Sequence, residues 1–375
     1  MGHHKKGPRV VLSGYFGFDN CGDEAILYSM IHCLKRLEPE LQLVALSGNP
    51  ERTRELYGIK AVDRWKPFQI LGALLGAKLF ISGGGSLIQD VTSVRSPKYY
   101  LGLIRVAQLL GKKTMIYAQG VGPLKDEANR GKTVKAFEKC AKITLRDEAS
   151  ARLLKELGLQ KAVQVTCDPV LALSAEDVGL DIGKAILGQL GILDSKGRKT
   201  KPLLIACPRS WKDNSHLPKI AKLLDNQAKT GCDVLLAPAH YPDDMESIAA
   251  ISNMMDERVY CVGRRLAAVE LMSLVAGADK VLSMRLHGLI FAMAFGVPMT
   301  AVSYDPKVTA FMEQAYMEDC CVPAESFSWF QLADILDRQE IRPVRQRLEQ
   351  EKRQEELREL AWQTAEEAVD LLKRK

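Results

Sequence analysis

Met284-Arg285-Leu286-His287-Gly288-Leu289-Ile290-Phe291-Ala292, followed closely by Ser303-Tyr304-Asp305-Pro306-Lys307, is the stretch on which the fold turns. The apolar run Lys280–Ser283 predicts a buried strand, Leu286–Phe295 a buried helix and Pro298–Tyr304 a second strand. That is a βαβ unit with Arg285 and His287 in the first turn of its crossover helix. Lys307 falls just past the carboxyl end of the next strand. Main-chain N–H groups at a helix start, an arginine and a lysine suit a small, multiply charged anion. A histidine in the same place adds a proton carrier. Ligands of open α/β sheets bind outside the carboxyl ends of the strands, where all three side chains are expected.

Working outward, the C-terminal half alternates strands (Pro202–Cys207, Asp233–Ala237, Arg258–Val262, Lys280–Ser283, Pro298–Tyr304) with helical stretches. Just past them come Arg209, His240, Arg264 with Arg265, Arg285 with His287, and Lys307. A sheet has one carboxyl edge, so this recurrence predicts an anion-binding wall. The N-terminal half alternates in the same way. Its strands are expected at Arg9–Gly14, Leu41–Ser47, Lys78–Ser82, Lys113–Ala118, Lys142–Leu145 and Ala162–Thr166, with helices at Asp23–Leu37, Pro97–Leu110, Asn129–Cys140 and Glu148–Leu157. Such alternation means a parallel sheet covered on both faces.

The expected organisation is α/β: two Rossmann-like domains facing a cleft, spanning residues 8–176 and 177–340, then a C-terminal helix over 341–375. From Asp337 onward there are ten acidic and ten basic residues, which excludes a simple polybasic anchor. Leu357, Leu360, Ala361, Ala365, Ala368 and Leu372 recur at helical spacing and predict one apolar stripe packed on the body of the protein.

Bulk properties narrow the function. At 375 residues the chain exceeds one typical core. It is 47% apolar and 26% charged, the balance of a soluble globular protein. A net charge of +6 favours anionic substrates or an anionic membrane surface but is too small to argue for nucleic acid. Nine scattered cysteines without a CxxC pair read as free thiols in a reducing cytoplasm. The opening residues, with His3 and His4, have no apolar signal region and are excluded from the fold. The two long apolar stretches, Pro67–Ile88 and Leu286–Tyr304, are interrupted by Lys78 or by Gly and Pro. They read as core and not as membrane spans.

Three glycine turns mark strand ends of the N-terminal half. Gly14-Tyr15-Phe16-Gly17-Phe18-Asp19-Asn20-Cys21-Gly22-Asp23-Glu24 opens the first helix but lacks the dinucleotide GxGxxG spacing. Asp23 and Glu24 would repel a pyrophosphate there and suit sugar hydroxyls better, while capping of the helix by Asn20 or Asp23 accounts equally for these residues. Gly83-Gly84-Gly85-Ser86 and Gln119-Gly120-Val121-Gly122-Pro123 follow two further strands, and Arg146-Asp147 a third. No HExxH, GxSxG or GxxxxGK[ST] occurs, so no metal, serine-hydrolase or P-loop chemistry is expected.

Taken in order, Gly14–Leu27, Gly83–Asp90, Gln119–Pro123, Leu145–Ser150, Met284–Ala292 and Ser303–Val308 resemble the polysaccharide pyruvyl transferase family. The resemblance covers about Val10 to Pro323. It departs at Asp19, where the family commonly has glycine, and at Cys21. It is strongest to the bacterial branch that adds pyruvate to N-acetylmannosamine in lipid-linked precursors of secondary cell-wall polymer, the ketals that S-layer homology domains recognise. The resemblance implies a GT-B-like fold and phosphoenolpyruvate as donor, and it calls for no cofactor. By resemblance and placement Arg285, Arg209 and Lys307 are expected on the donor anions, with Leu286 beside them and Arg146 as a fourth from the other domain. His287 is expected as general acid or base, and Lys307 is expected beside it as a catalytic residue. Asn20, Asp23, Glu24, Gly84 and Gln119 are the expected acceptor contacts.

The expected acceptor is a polyprenyl-diphosphate-linked saccharide, met in the cytoplasm, with peripheral contact at the inner membrane face. Phe68–Leu75, followed by Lys78, either seats the protein on anionic headgroups or is core under the first sheet. Two rival classes fit the fold: a GT-B glycosyltransferase using a nucleotide sugar, and a non-catalytic sugar- or lipid-binding protein.

Overall fold

The structure is a computed structural model that describes residues 7–91 and 93–374. The opening extension with His3 and His4 lies outside the described residues. The chain forms two compact units. Unit 1 comprises residues up to Phe18, Asp23–Ala172 and Glu359 onward, and unit 2 comprises Asp19–Gly22 and Leu173–Arg358.

Unit 1 contains strands β1 (Arg9–Phe16), β2 (Gln42–Ser47), β3 (Lys60–Asp63), β4 (Leu79–Gly83), β5 (Lys113–Gln119), β6 (Lys142–Leu145) and β7 (Gln164–Val165). Helices α1 (Cys21–Leu37), α2 (Pro50–Tyr57), α3 (Pro67–Leu75), α4 (Arg95–Leu109), α5 (Glu127–Phe137) and α6 (Glu148–Glu156) connect them. The sheet is parallel, in the order β3-β2-β1-β4-β5-β6-β7. Its strands are apolar on both faces, as a sheet sandwiched between helices requires. Val10, Val11, Leu12, Leu79, Phe80, Ile81, Met115 and Ile116 are fully buried.

In unit 2, α7 (Ala175–Val178) and α8 (Leu180–Gln189) precede strands β8 (Leu203–Cys207), β9 (Asp233–Leu236), β10 (Tyr260–Cys261), β11 (Lys280–Ser283), β12 (Met299–Ser303) and β13 (Cys321–Pro323). The helices between and after them are α9 (Leu217–Lys229), α10 (Met245–Met254), α11 (Ala268–Ala276), α12 (Leu286–Ala294), α13 (Pro306–Gln314), α14 (Trp329–Glu340) and α15 (Val344–Lys373). The strand order is β10-β9-β8-β11-β12-β13, again all parallel. Counted within each unit, the first six strands of both sheets follow the doubly wound order 3-2-1-4-5-6. Each sheet therefore has a switch point beside its first strand, where the two adjacent crossovers leave in opposite directions and open a crevice.

The last helix is shared. Leu357, Ala361, Ala365 and Ala368 of its stripe are buried, and within unit 1 the Trp362 Nε1–H donates to the Ala172 carbonyl at 3.1 Å while Lys142 pairs with Glu367 at 2.5 Å.

Several boundaries differ from expectation for local reasons. β1 runs on to Phe16 because its pairing with β2 continues across an irregularity between Ser13 and Phe16, so Gly14 lies inside the strand. Helix α1 starts at Cys21, with the Asn20 side chain accepting from the Gly22 N–H at 3.0 Å. Arg258–Val262 contracts to the two residues of β10. β3 and β13 are four and three residues long, too short to show an alternating pattern, and β13 ends on Pro323 at the sheet edge, where a missing donor is tolerated.

Candidate functional site

The switch point of unit 2 lies between β8 and β11, and the residues that leave these strands are the ones the sequence singled out. Arg285 is the N-cap of α12, one position before the first helical residue and not within the first turn. The Ser283 hydroxyl shapes this turn: it accepts from the Arg285 N–H at 3.0 Å and donates to the Arg285 carbonyl at 2.7 Å. Leu286 and His287 follow as the first two helical residues, both half-buried.

Arg285 is not a bare cation. Its Nε–H donates to Asp244 at 2.9 and 3.2 Å, and its Nη2 also bonds that carboxylate. Asp244 is completely buried and accepts from the Ala239 and His240 N–H groups at 3.0 and 2.8 Å as well. A buried carboxylate with this many donors fixes the plane of the guanidinium, and a charge removed from either partner would be costly.

Other cations along the edge also carry countercharges. Arg264 pairs with Glu270 at 2.8 Å, Arg265 with Asp19 at 2.6 Å, and the His240 ring with Asp243 at 3.0 Å. His240, Arg264, Arg265 and Arg285 thus each carry a carboxylate partner, so this part of the expected anion-binding wall is a set of ion pairs. Asp243 and Glu270 lie close in sequence to their partners, whereas Asp19 and Asp244 reach theirs through tertiary structure.

Arg209, from β8, is held differently. Its guanidinium lies over the Tyr304 ring at 4.4 Å and its Nη1 donates to the Tyr304 hydroxyl. The buried His216 ring donates through Nε2 to the Arg209 carbonyl at 3.0 Å. No carboxylate pairs with Arg209 among the described residues. Tyr304 leaves β12 and Lys307 opens α13 just beyond, so β8, β11 and β12, adjacent in the sheet, supply Arg209, Arg285, His287 and Lys307. Cys207, at the end of β8, is fully buried, and burial pushes its thiol up to about 12.

His287 has an unexpected neighbour. A Cβ on Gly22 would lie 2.0 Å from its Nδ1, so the imidazole rests where any other residue would put a side chain. The Asp19–Gly22 segment belongs to this unit: the Cys21 N–H donates to the Ala239 carbonyl, and Asn20 bridges His240. Asn20, expected as an acceptor contact of the N-terminal domain, thus lies with the His287 side. Asp19 adopts a φ of 57°, which aspartate tolerates better than most residues.

The switch point of unit 1, between β1 and β4, is built from main chain and carboxylates. Glu24 is buried, accepting from the Gly17 N–H at 2.6 Å and the Tyr57 hydroxyl at 2.7 Å. Gly85 has a φ of 62°, and a Cβ there would come 2.7 Å from an Asp23 carboxylate oxygen. Gly84 faces Ile26. Gln119 is fully buried, within 3.5 Å of the Ser82 hydroxyl. Arg146 is also buried; it donates to the Ser86 hydroxyl at 3.1 Å and to the buried Asp168 at 3.5 Å.

Sequence reasoning missed Asp244, Tyr304 and His216 as the groups that hold the arginines, and Asp168 as the partner of Arg146. Asp244 carried a weak signal, four residues after His240 on the same strand end.

A family model described as polysaccharide pyruvyl transferase matches residues 20–306. The chain belongs to the polysaccharide pyruvyl transferase family. It is accordingly a pyruvyltransferase enzyme acting towards polysaccharide. No curated protein matches it in sequence.

Among solved structures it is similar to Anabaena HepE in complex with UDP-glucose, at 14% identity over 97% of both chains with a TM-score of 0.58. It is also similar to the Neisseria meningitidis UDP-GlcNAc 2-epimerase bound to UDP-GlcNAc, at 15% identity over 98% and 100% of the two chains with a TM-score of 0.63. A putative UDP-N-acetylglucosamine 2-epimerase from Listeria monocytogenes aligns at 12% identity over 96% and 94% with a TM-score of 0.62. These likenesses give this pyruvyltransferase its GT-B-like α/β fold and nothing about its donor.

Proposed function

We propose that this pyruvyl transferase moves pyruvate from phosphoenolpyruvate to a hexosamine, N-acetylmannosamine in a lipid-linked precursor of secondary cell-wall polymer, forming a 4,6-ketal and releasing phosphate. The observation that carries the reading is the grouping of Arg209, Arg285, His287 and Lys307 on three adjacent strand ends of unit 2. Phosphoenolpyruvate presents a phosphate and a carboxylate on one enol carbon. It needs two anion clamps at a fixed spacing, and arginine forks with one compact lysine charge supply them. Arg209 supports this best, since its charge is met by an aromatic ring and a hydroxyl.

In the proposed reaction an acid protonates the methylene carbon, and the enol double bond supplies the electron pair for the new C–H bond. Positive character develops on the central carbon, where one sugar hydroxyl attacks and gives up its proton to a base. The C–O bond to phosphate then breaks with its electron pair, and a second hydroxyl of the same sugar closes the ketal as its proton leaves. Donor and acceptor diol thus become ketal and inorganic phosphate. His287, beside Arg285, fills the proton-transfer role in this scheme. The carboxylates Asp23 and Glu24 and the close main chain at Gly84 and Gly85 in unit 1 suit acceptor hydroxyls. Glu24 acts there by holding the Gly17 turn.

The test is mass spectrometry of the lipid-linked disaccharide after incubation with phosphoenolpyruvate. The expected result is the mass of one pyruvate ketal together with an equal amount of inorganic phosphate. Thermal stabilisation by UDP-sugars but not by phosphoenolpyruvate, with no ketal product, would refute the donor.

A further inference from the structure

Helices α3 and α4 of unit 1 cover the same face of the sheet and lie side by side. Trp65, just before α3, contacts Tyr99 in the first turns of α4 at 5.4 Å, and at the other end the Lys112 ammonium donates to the Leu75 carbonyl at 2.8 Å. The inner sides of both helices are core: Ile70, Ala73, Leu74, Tyr100, Ile104 and Ala107 are buried in one cluster. Their outer sides are apolar too. Phe68 is 88% exposed, Leu109 78% and Trp65 64%, with Leu71, Leu75 and Val106 also open to solvent. Phe68, Leu71 and Leu75 recur at helical spacing on α3, as Val106 and Leu109 do on α4, so the exposed residues form one strip along both helices. Isolated exposed leucines need no explanation, whereas a contiguous strip of this size marks a contact surface.

The charge around the strip selects the occupant. From Trp65 to Lys113 the chain has seven lysines and arginines and one acidic residue, Asp90. Asp90 is buried and turns its carboxylate to the Lys125 and Asp126 N–H groups, and no ion pair joins it to the exposed lysines among the described residues. Asp63, just before this stretch, turns its carboxylate to the Trp65 N–H at 2.8 Å. Lys66, Lys78 and Lys98 are exposed around the apolar side chains. A second protein would meet either property; an anionic bilayer surface meets both together, with apolar side chains below the headgroups and ammonium groups among the phosphates. Among the described residues no helix is long and apolar enough to cross a membrane, so the contact is lateral.

We propose that the α3–α4 face is a docking surface for anionic phospholipid bilayers. The Trp65 end of the strip reaches the carboxyl edge of the unit 1 sheet. There Arg64 is surrounded by the Phe18, Trp65, Tyr99 and Tyr100 rings and donates to the Gly14 carbonyl at 3.0 Å. Docking would therefore set the glycine edge beside the headgroups, where a saccharide on a lipid diphosphate is presented. The biological use of the surface rests on the lipid-linked acceptor reading; the surface itself does not.

Flotation of the full chain with vesicles tests it. Binding is expected to phosphatidylcholine mixed with phosphatidylglycerol and not to phosphatidylcholine alone, at about 0.1 M salt, where the Debye length is ~10 Å. Lys66→Glu with Lys78→Glu should lower the partition coefficient by roughly tenfold or more, from ~1 kcal/mol per basic side chain near the surface. Phe68→Ser with Leu71→Ser should also abolish most binding while leaving ketal formation on a soluble saccharide unchanged. Equal binding to both vesicle types, no binding, or unaltered binding by both variants would overturn the surface. A wild-type dimer that Phe68→Ser with Leu71→Ser dissociates would assign the strip to a second copy instead. Transfer to a soluble saccharide without vesicle binding would leave the proposed reaction standing and remove this surface alone.

Discussion

The two switch points are built on the same strand order and made of different materials. In unit 1 the edge brings main chain close: Gly85 accommodates Asp23, the Gly17 N–H is held by Glu24, and the buried Arg64 and Arg146 donate to the Gly14 carbonyl and the Ser86 hydroxyl. In unit 2 the edge projects side chains: Arg209 on Tyr304, Arg285 on Asp244, and His287 against Gly22. A parallel sheet dictates where a crevice opens and leaves its chemistry to the few residues after each strand. In the proposed reaction, acceptor hydroxyls suit close main chain and carboxylates, and a donor with both a phosphate and a carboxylate suits oriented cations. The contrast predicts that substitutions will separate cleanly into donor, acceptor and proton-transfer phenotypes.

The largest effect is expected at the proton-transfer position. His287→Ala should remain folded and lower kcat by ~10² to 10⁴, the usual loss for a general acid or base. Gly22→Ala should reproduce part of that loss with His287 intact, because its Cβ would displace the imidazole. Normal turnover in folded His287→Ala would show that unit 2 binds without taking part in proton transfer.

Arg285→Lys comes next. A lysine cannot keep the two-nitrogen grip on Asp244, so the variant should melt lower and show a KM for phosphoenolpyruvate raised by about 10- to 100-fold, the scale of one charge-assisted hydrogen bond. Acceptor KM should hardly move. Weakened acceptor binding with an intact donor KM would invert the assignment of the two edges.

Glu24→Gln tests unit 1. It removes a carboxylate that accepts from the Gly17 N–H and the Tyr57 hydroxyl. The expected outcome is an acceptor KM raised by roughly tenfold, the loss of one hydrogen bond to a charged group, with donor KM unchanged. A shift in donor KM of the same size would erase the distinction between the edges.

What could be read from sequence follows the range of each interaction. Strands β6 and β11 and the start of α12 were legible because apolar runs and glycine turns are local signals. The placement of Arg285, His287 and Lys307 past strand ends came from the same local reading. Their surroundings were not legible. Asp244 lies 41 residues from Arg285, Tyr304 lies 95 from Arg209, and Gly22 meets His287 from the far end of the chain. No periodicity encodes such pairs. The charge of the unit 2 edge was over-read for this reason: its cations follow strand ends in sequence, while several of their counterions arrive through tertiary structure.

The smallest expected effect sharpens the comparison at Arg209. His216 is buried behind it and donates through Nε2 to its carbonyl. Burial lowers the His216 pKa below the ordinary 6.5, against the opposing pull of the Arg209 carbonyl and Asp213, with Lys219 adding to the depression. The unfolded chain therefore takes up this proton first as pH falls. The stability contributed by neutral His216 is fully present above the unfolded value, about 6.5, and is lost as pH drops through the folded value. His216→Gln keeps an N–H donor and removes the titration. Its melting temperature should fall less than that of the wild type on going from neutral pH to below 6, with both proteins similar above 7. The same acidification should raise the wild type's KM for phosphoenolpyruvate more than the variant's, because a charged imidazole behind Arg209 disturbs the clamp from below. Parallel melting curves and parallel KM profiles would mean that His216 only fills space, and that the Arg209 side of the edge is organised by Tyr304 alone.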